Sequence, residues 1–304
     1  MLFTYLTTHY LNHSLGLVSV DAMLAGREWF IALWRSRLGT LALYTAFTVH
    51  LFLAYWSLYR RRTLRMPAWE ATQLTLGLTI PLLLVGHVVG TRLAHEMAGT
   101  QDSYTLVLLV LWTLDPLAGW RQAIALIVAW LHGCVGLHFW LRLRPWYARS
   151  VWLIYSGALL LPALALLGFA EGGREIARRA EDPAFVPQLL AAARRPTPEQ
   201  AVVLGRVSES IFWGHLGMIA VVLAARSIRE SARRRQGVRI TYPDSREVLV
   251  PAGFTILEAS RFAGIPHASV CGGRGRCSTC RVRVLRGVES LPAATLDELR
   301  VLGR

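Results

Sequence analysis

Cys271-Gly272-Gly273-Arg274-Gly275-Arg276-Cys277-Ser278-Thr279-Cys280 sets three thiols among three glycines on one short stretch. Thiols crowded in this way are unfavourable unless they hold something, and thiolates are the ligands that iron–sulfur clusters take. Glycines let the backbone curl until its N–H groups face the sulfurs. Zinc ribbons and fingers usually present two close pairs of ligands. Here one close pair, Cys277 and Cys280, follows an outlier, and His267 is the one histidine nearby. The loop therefore reads as an iron–sulfur loop with Cys271, Cys277 and Cys280 as ligands, ahead of a zinc site and of an inert or disulfide-linked trio.

The flanks extend the reading. Residues 238–242 alternate as a strand, 243–245 form its turn and 247–250 resume it. Thr255 caps a short helix with Glu258 three places on, a capping box, and Gly264 ends it. Residues 281–285 alternate again as a further strand. Over residues 238–304 this pattern resembles the [2Fe–2S] ferredoxins, and its longer first gap resembles the adrenodoxin and bacterial subgroup. The resemblance implies a small α+β ferredoxin-like (β-grasp) domain and a fourth cysteine downstream, which the chain does not supply before Arg304. Cys134 sits inside an apolar stretch of another domain, so the expectation is a chain cut inside the ferredoxin domain. A fourth ligand from a partner or from a non-cysteine side chain is the alternative.

The chain of 304 residues is 54% hydrophobic with formal charge +14, and its mean hydropathy is +0.39. Its basic charge is all arginine, with no lysine, which excludes a P-loop lysine and a Schiff-base lysine within these residues. The arginines cluster beside apolar runs, which favours a membrane protein over a nucleic-acid binder. The expected fold class is mainly α: a polytopic membrane helix bundle followed by the ferredoxin-like domain. Residues 1–37 carry no cleavable signal and hold an interfacial helix at 15–34. Residues 38–229 form the membrane anchor, 230–237 a basic linker and 238–304 the ferredoxin domain. Five spans are expected at 38–59, 71–89, 120–141, 151–169 and 201–225, with a half-helix at 104–114 and a polar excursion at 171–196. Arg60, Arg61, Arg62 and Arg65, then Arg142, Arg144 and Arg149, then the arginines of 226–239 fall on one side. That places the ferredoxin domain in the cytoplasm of a bacterial inner membrane and the N-terminus outside. Arg35, Arg37 and the arginines of the excursion depart from this rule.

Four spans carry an interior histidine: His50, His87, His132 and His215. Ionisable groups at that depth are functional by default, and a flat haem b between helices needs an imidazole from each side. Ala46 and Ala54 around His50, Gly90 after His87, Ala129 and Gly136 around His132, and Gly214 and Gly217 around His215 leave room for a ring. Depth along the spans pairs His50 with His132. His87 pairs with His215 across a mismatch of about 7 Å that tilt would absorb. The alternative is that these histidines bond between helices or relay protons. His138, His9 and His13 read as surface groups. His95-Glu96 opens like a zinc-protease motif, but position 99 is Gly, which ends that idea.

The run His87-Val88-Val89-Gly90-Thr91-Arg92-Leu93-Ala94-His95 is similar to one in the cytochrome b anchors of succinate dehydrogenase and fumarate reductase, which are quinone-reactive. By that resemblance Arg92 meets a haem propionate and His95 lies at the quinone end, an interfacial anchor being the other reading of both. Such an anchor followed by a [2Fe–2S] domain resembles the N-terminal regulatory half of a bacterial class III adenylate cyclase. The resemblance implies a quinone-sensing module with one or two haems, a homodimer, and a cyclase domain beyond this chain. Nothing after Cys280 offers cyclase metal-binding aspartates, so the expected catalytic set is empty. Competing readings are a quinone-linked cytochrome b and ferredoxin electron-transfer protein, and a non-redox receptor. Membrane lipid is an expected partner and nucleic acid is not.

Overall fold

The computed structural model describes residues 1–234 and 237–303, so Arg235 and Gln236 of the expected linker and Arg304 lie outside the described residues. Helix α1 (Leu2–Ser14) leads through a tight turn to α2 (Val20–Trp34), whose cap Ser19 accepts from the Ala22 amide. Then come α3 (Arg37–Arg60) and α4 (Ala68–Val88), which runs through a π-helical turn at Val89–Leu93 into α5 (Ala94–Ala98). A short α6 (Tyr104–Leu109) with its own π turn precedes α7 (Pro116–Leu141), which Asp115 caps and Pro116 starts. α8 (Pro145–Arg179), α9 (Phe185–Ala192) and α10 (Pro198–Arg234) complete the helical part.

The five long helices, with α4 and α5 taken as one, are long and apolar enough to cross a membrane, and their apolar windows are mostly unburied. Outward side chains such as Leu38, Leu117, Leu159 and Val221 thus find no protein partner and suit lipid. Around the bundle the packing order is α3, α10, α4, α7, α8, α1. α8 and α10 rise about 52 and 55 Å at 1.5 Å per residue, well beyond a hydrocarbon core of about 30 Å. They carry on into the expected polar excursion and the expected linker: α8 runs to Arg179 and α10 to Arg234.

The N-terminal segment departs from its expectation. Instead of one interfacial helix it makes two helices packed into the end of the bundle away from the ferredoxin domain, the far face. Val20 and Met23 join Leu108, Leu109, Phe169 and Ile176 in one core, and Tyr10 joins Leu126, Trp130 and Ala165 in another. Tyr10 donates its hydroxyl to the Leu126 carbonyl. Asp102, which is buried, anchors this end by accepting from Arg27 at 2.8 Å and from Arg35. α1, at 13 residues, is too short to cross a membrane, so its apolar run alone does not mark it as a bundle member.

After α10, β1 (Gly237–Thr241) pairs antiparallel with β2 (Glu247–Pro251), Gly237 opposite Pro251 and Thr241 opposite Glu247. α11 (Ile256–Phe262) has the capping box at Thr255 and Glu258, and Gly264 follows at φ 68°. α12 (Leu296–Leu302) carries a second box, Thr295 with Glu298. The strand expected at 281–285 does not form. Those residues are irregular, with Val282 and Leu285 exposed and the described sheet limited to β1 and β2. Alternation is a necessary sign of a strand, but the strand itself is made by ladder bonds to a neighbour, and residues 281–285 pair with neither β1 nor β2.

Candidate metal centres

The cysteine loop is shaped by backbone conformations that favour glycine: Gly272, Gly273 and Gly275 have φ of 72°, 82° and 63°. Cys271 is buried, while Cys277 and Cys280 are half-buried. Burial pushes the Cys271 thiol up, but hydrogen bonds from the Arg276 amide, the Cys277 side chain and the Arg274 and Cys277 amides pull it down to about 7. A thiolate wrapped by amide donors is what a cluster ligand requires. Burial raises the Cys280 thiol, with the neighbouring Cys271 and Cys277 adding to the rise. His267 is tied up, one ring nitrogen 2.9 Å from the Ser260 hydroxyl and the other 3.3 Å from the Cys280 carbonyl, so it braces the loop from behind. Among the described residues no three His, Cys, Asp or Glu side chains converge on a single bare ion. The two irons of a cluster divide their ligands, so such convergence is not needed.

Residues 239–302 match the family of 2Fe-2S iron-sulfur cluster binding domains. The C-terminal module is a ferredoxin domain. Over 76 residues the chain is 37% identical to the F-subunit of the Na(+)-translocating NADH-quinone reductase of Psychrobacter cryohalolentis, and 36% identical to those of Psychrobacter arcticus and a Marinomonas species. Each match covers 25% of this chain and 18% of the relative, so the chain spans less than a fifth of those proteins. No solved structure matches.

The ferredoxin domain rests on the ends of α3, α4 and α7. Arg62 pairs with Glu258 at 3.0 Å, and Arg65 donates to the Phe262 carbonyl at 3.0 Å while its guanidinium lies over the Phe262 ring. Arg142 donates to the Val270 carbonyl, next to Cys271. Arg226 holds the loop after α3 in place by donating to the carbonyls of Arg61 and Arg62 at 2.8 and 3.0 Å.

His50 of α3, which is exposed, faces half-buried His132 of α7, ring centres 5.9 Å apart and planes at 78°. His132 Nδ1 lies 3.1 Å from the Gln73 carbonyl, which fixes Nδ1 as the hydrogen-bearing nitrogen and leaves Nε2 with its lone pair. Two imidazoles on either side of one iron, each bonded at about 2 Å, bring their ring centres to about 6 Å. The residues present fit that group. α3 packs chiefly on α10, and α7 on α4 and α8, so this pair bridges two helices that share no main seam.

His87 and His215 are not brought together. Both nitrogens of His215 are committed, one to the Tyr55 hydroxyl and the other to the Leu78 carbonyl at 2.8 Å, so it has none to offer a metal. The ring that His87 meets is His9 of α1, at 6.2 Å between centres. His13 completes the group, its Nε2 3.2 Å from that of His9. His9 and His13 are therefore not the surface groups that the sequence led us to expect. Burial first, then the neighbouring histidines, lowers His9 well below its usual range, and burial with His87 lowers His13 to about 4. Both stay neutral at pH 7, as metal ligands must, and the Nδ1 atoms of both are buried without a partner. His9 could have been found from its i, i+4 spacing to His13, but only once α1 is known to be buried.

His138 sits at the ferredoxin end, 2.9 Å from the Tyr147 hydroxyl. Arg92 is paired with Glu96 at 2.9 Å. His95 lines a far-face cleft of about 560 Å³ with Arg27, Arg35, Gln101 and Asp102. Its Nδ1 lies 2.9 Å from the Thr100 carbonyl, leaving Nε2 free to accept a proton.

Proposed function

We propose that the chain is a membrane redox module in which b-type haem inside the bundle works with the ferredoxin cluster and a quinone. The observation that carries this reading is the His50 and His132 pair, two imidazoles on facing helices whose ring centres lie 5.9 Å apart. Haem bound there supplies a one-electron centre within the low-dielectric bundle. His50 and His132 would hold it. His9 and His87 would hold a second haem, in place of the pairing of His87 with His215. Gln73 orients His132. The far-face cleft receives the quinone head, with Arg27 and Arg35 held by Asp102 as donors to its oxygens and His95 Nε2 as the base that takes a proton from the quinol. By the cytochrome b resemblance, Arg92 would meet a propionate once it leaves Glu96.

The ferredoxin domain lies in the cytoplasm of a bacterial inner membrane in this reading, with the N-terminus outside. The arginines at the ends of α3, α7 and α10 support that sidedness. The finer form, which rests on the family resemblance, is that quinone redox state regulates a class III adenylate cyclase domain beyond Arg304 in a homodimer. The plain electron-transfer reading is favoured instead by the match to one component of a quinone reductase. Cyclase activity of the full-length protein that follows the oxidation state of added quinone separates the two. A pyridine haemochrome spectrum of the membrane-purified protein tests the module itself, and protein without haem b sinks it.

A further inference from the structure

The contact between the ferredoxin domain and the bundle is continuous down to a cluster sulfur. Thr279 Oγ1 lies 3.2 Å from Cys277 Sγ and accepts from the Val270 amide at 2.9 Å. An oxygen that accepts from the amide has its own hydrogen left for the thiolate. The Val270 carbonyl in turn accepts from Arg142 Nη2. The Arg142 guanidinium carbon lies over Phe139 at 4.4 Å and over Trp69 at 5.7 Å, and these two rings are stacked with centres 3.8 Å apart. Arg142 Nε is buried without a partner, so stacking and the single carbonyl bond hold this cation.

The stack joins α4 and α7 where they begin to pack against each other. One turn along α4 from Trp69 is Gln73, whose side chain donates to the His132 carbonyl at 3.1 Å and whose own carbonyl faces His132 Nδ1. Two turns along α7 from Phe139, about 10 Å of rise, is His132 itself. Gly77, a turn beyond Gln73, is small enough for the His132 ring to lie against it, since a Cβ there would come 2.7 Å from Cε1.

We infer that this α4 and α7 seam is the route along which one electron passes between the cluster and the His50 and His132 site, and that Arg142 is the positioning residue that closes it. The inference rests on the haem reading above. One centre loses the electron and the other gains it, and no bond forms or breaks. Arg142 serves the transfer by fixing Val270, and through Thr279 the sulfur of Cys277, at a set distance from Phe139 and Trp69. A fixed separation matters because the electron must tunnel between the two centres, and tunnelling falls steeply as their distance grows.

The test uses the full-length chain in nanodiscs with haem and cluster loaded. A photoexcited ruthenium complex reduces the cluster, and haem absorbance reports arrival of the electron. Arg142→Ala is expected to slow arrival about tenfold or more, with haem content, cluster electron paramagnetic resonance signal and both midpoint potentials at wild-type values. Arg142→Lys, which can donate to Val270 but cannot stack, falls between, and Trp69→Leu is slowed in the same way. Arg144→Ala, which removes an exposed charge from the same rim, leaves the rate unchanged. Hydrogen exchange gives a second readout: amides of residues 268–280 lose protection in Arg142→Ala. Arrival within twofold of wild type in Arg142→Ala, with both centres present, overturns the route. If the wild-type protein holds no haem b, it is the haem reading that fails, and unchanged protection of residues 268–280 then overturns the docking role as well.

Discussion

An imidazole can serve iron only through a nitrogen that no other group has claimed, and this separates the intramembrane histidines. His215 has both nitrogens engaged, whereas His132 has only Nδ1 engaged. If the proposed haem lies between α3 and α7, His50→Ala and His132→Ala are therefore each expected to remove it. His9→Ala and His87→Ala remove the other, and His215→Ala keeps the full content, all read by pyridine haemochrome absorbance per protein. Loss of haem in His215→Ala with the other four unchanged would reverse the assignment. Gly77 acts on the same pair from the side. A methyl group there presses on the His132 ring, so Gly77→Ala should weaken retention of the inner haem and cost about 1–3 kcal/mol as an overpacked contact. A shift in thermal unfolding together with a lower Soret intensity checks it. The five-and-two cysteine spacing and its glycines disclosed the ferredoxin loop outright, because local backbone geometry and ligand type are both written in adjacent residues. The pairing of histidines depends on which helices oppose one another, and adjacent residues do not carry that.

Helices declared themselves in proportion to their length. The five long ones were legible from apolar runs and arginine-rich ends, and the cap at Thr255 from its box partner Glu258. α1 was not, since 13 residues cannot span and its burial comes from packing against α8. That packing is a close approach of backbones: a Cβ at Gly168 would strike the His13 carbonyl, and one at Gly16 the Gly168 carbonyl. Gly168→Ala is accordingly expected to push α1 off α8. The haem of His9 and His87 should be lost while that of His50 and His132 stays, giving about half the wild-type haem content. α12 is a second short element held by its start. The Thr295 amide and hydroxyl bond the Glu298 carboxylate and lower its pKa, so the ionised form favours the fold. This contribution is present above the unfolded carboxylate pKa and is lost as pH falls through the lowered folded value. Acidification should thus release α12 amides early, and Glu298→Ala should do the same at pH 7 at a cost of about 1 kcal/mol, read by amide exchange.

At the scale of the whole molecule, the ferredoxin domain is held by arginines of the bundle rather than by a shared core. Arg62 and Glu258 are each about a quarter exposed, at 26% and 30%, so this pair contributes less than about 1 kcal/mol and is open to salt. Glu258 is also the capping carboxylate of α11, accepting from the Thr255 amide at 2.8 Å, so the pair links helix stability to docking. Arg65 adds a carbonyl bond and a ring contact at Phe262. The loop that presents both arginines is fixed to α10 by Arg226, through the carbonyls of Arg61 and Arg62 rather than their side chains. Substituting the side chains therefore leaves the loop in place. Arg62→Ala with Arg65→Ala should free the domain while the bundle keeps its helices. Trypsin cleavage among the arginines of residues 229–239 is expected to become faster, as it should in wild type on raising salt. Haem absorbance should not change, because no histidine ligand contacts this loop. Equal cleavage rates for wild type and the double variant at low salt would mean that Arg142 alone holds the domain, and would shift the whole weight of docking to the α4 and α7 seam.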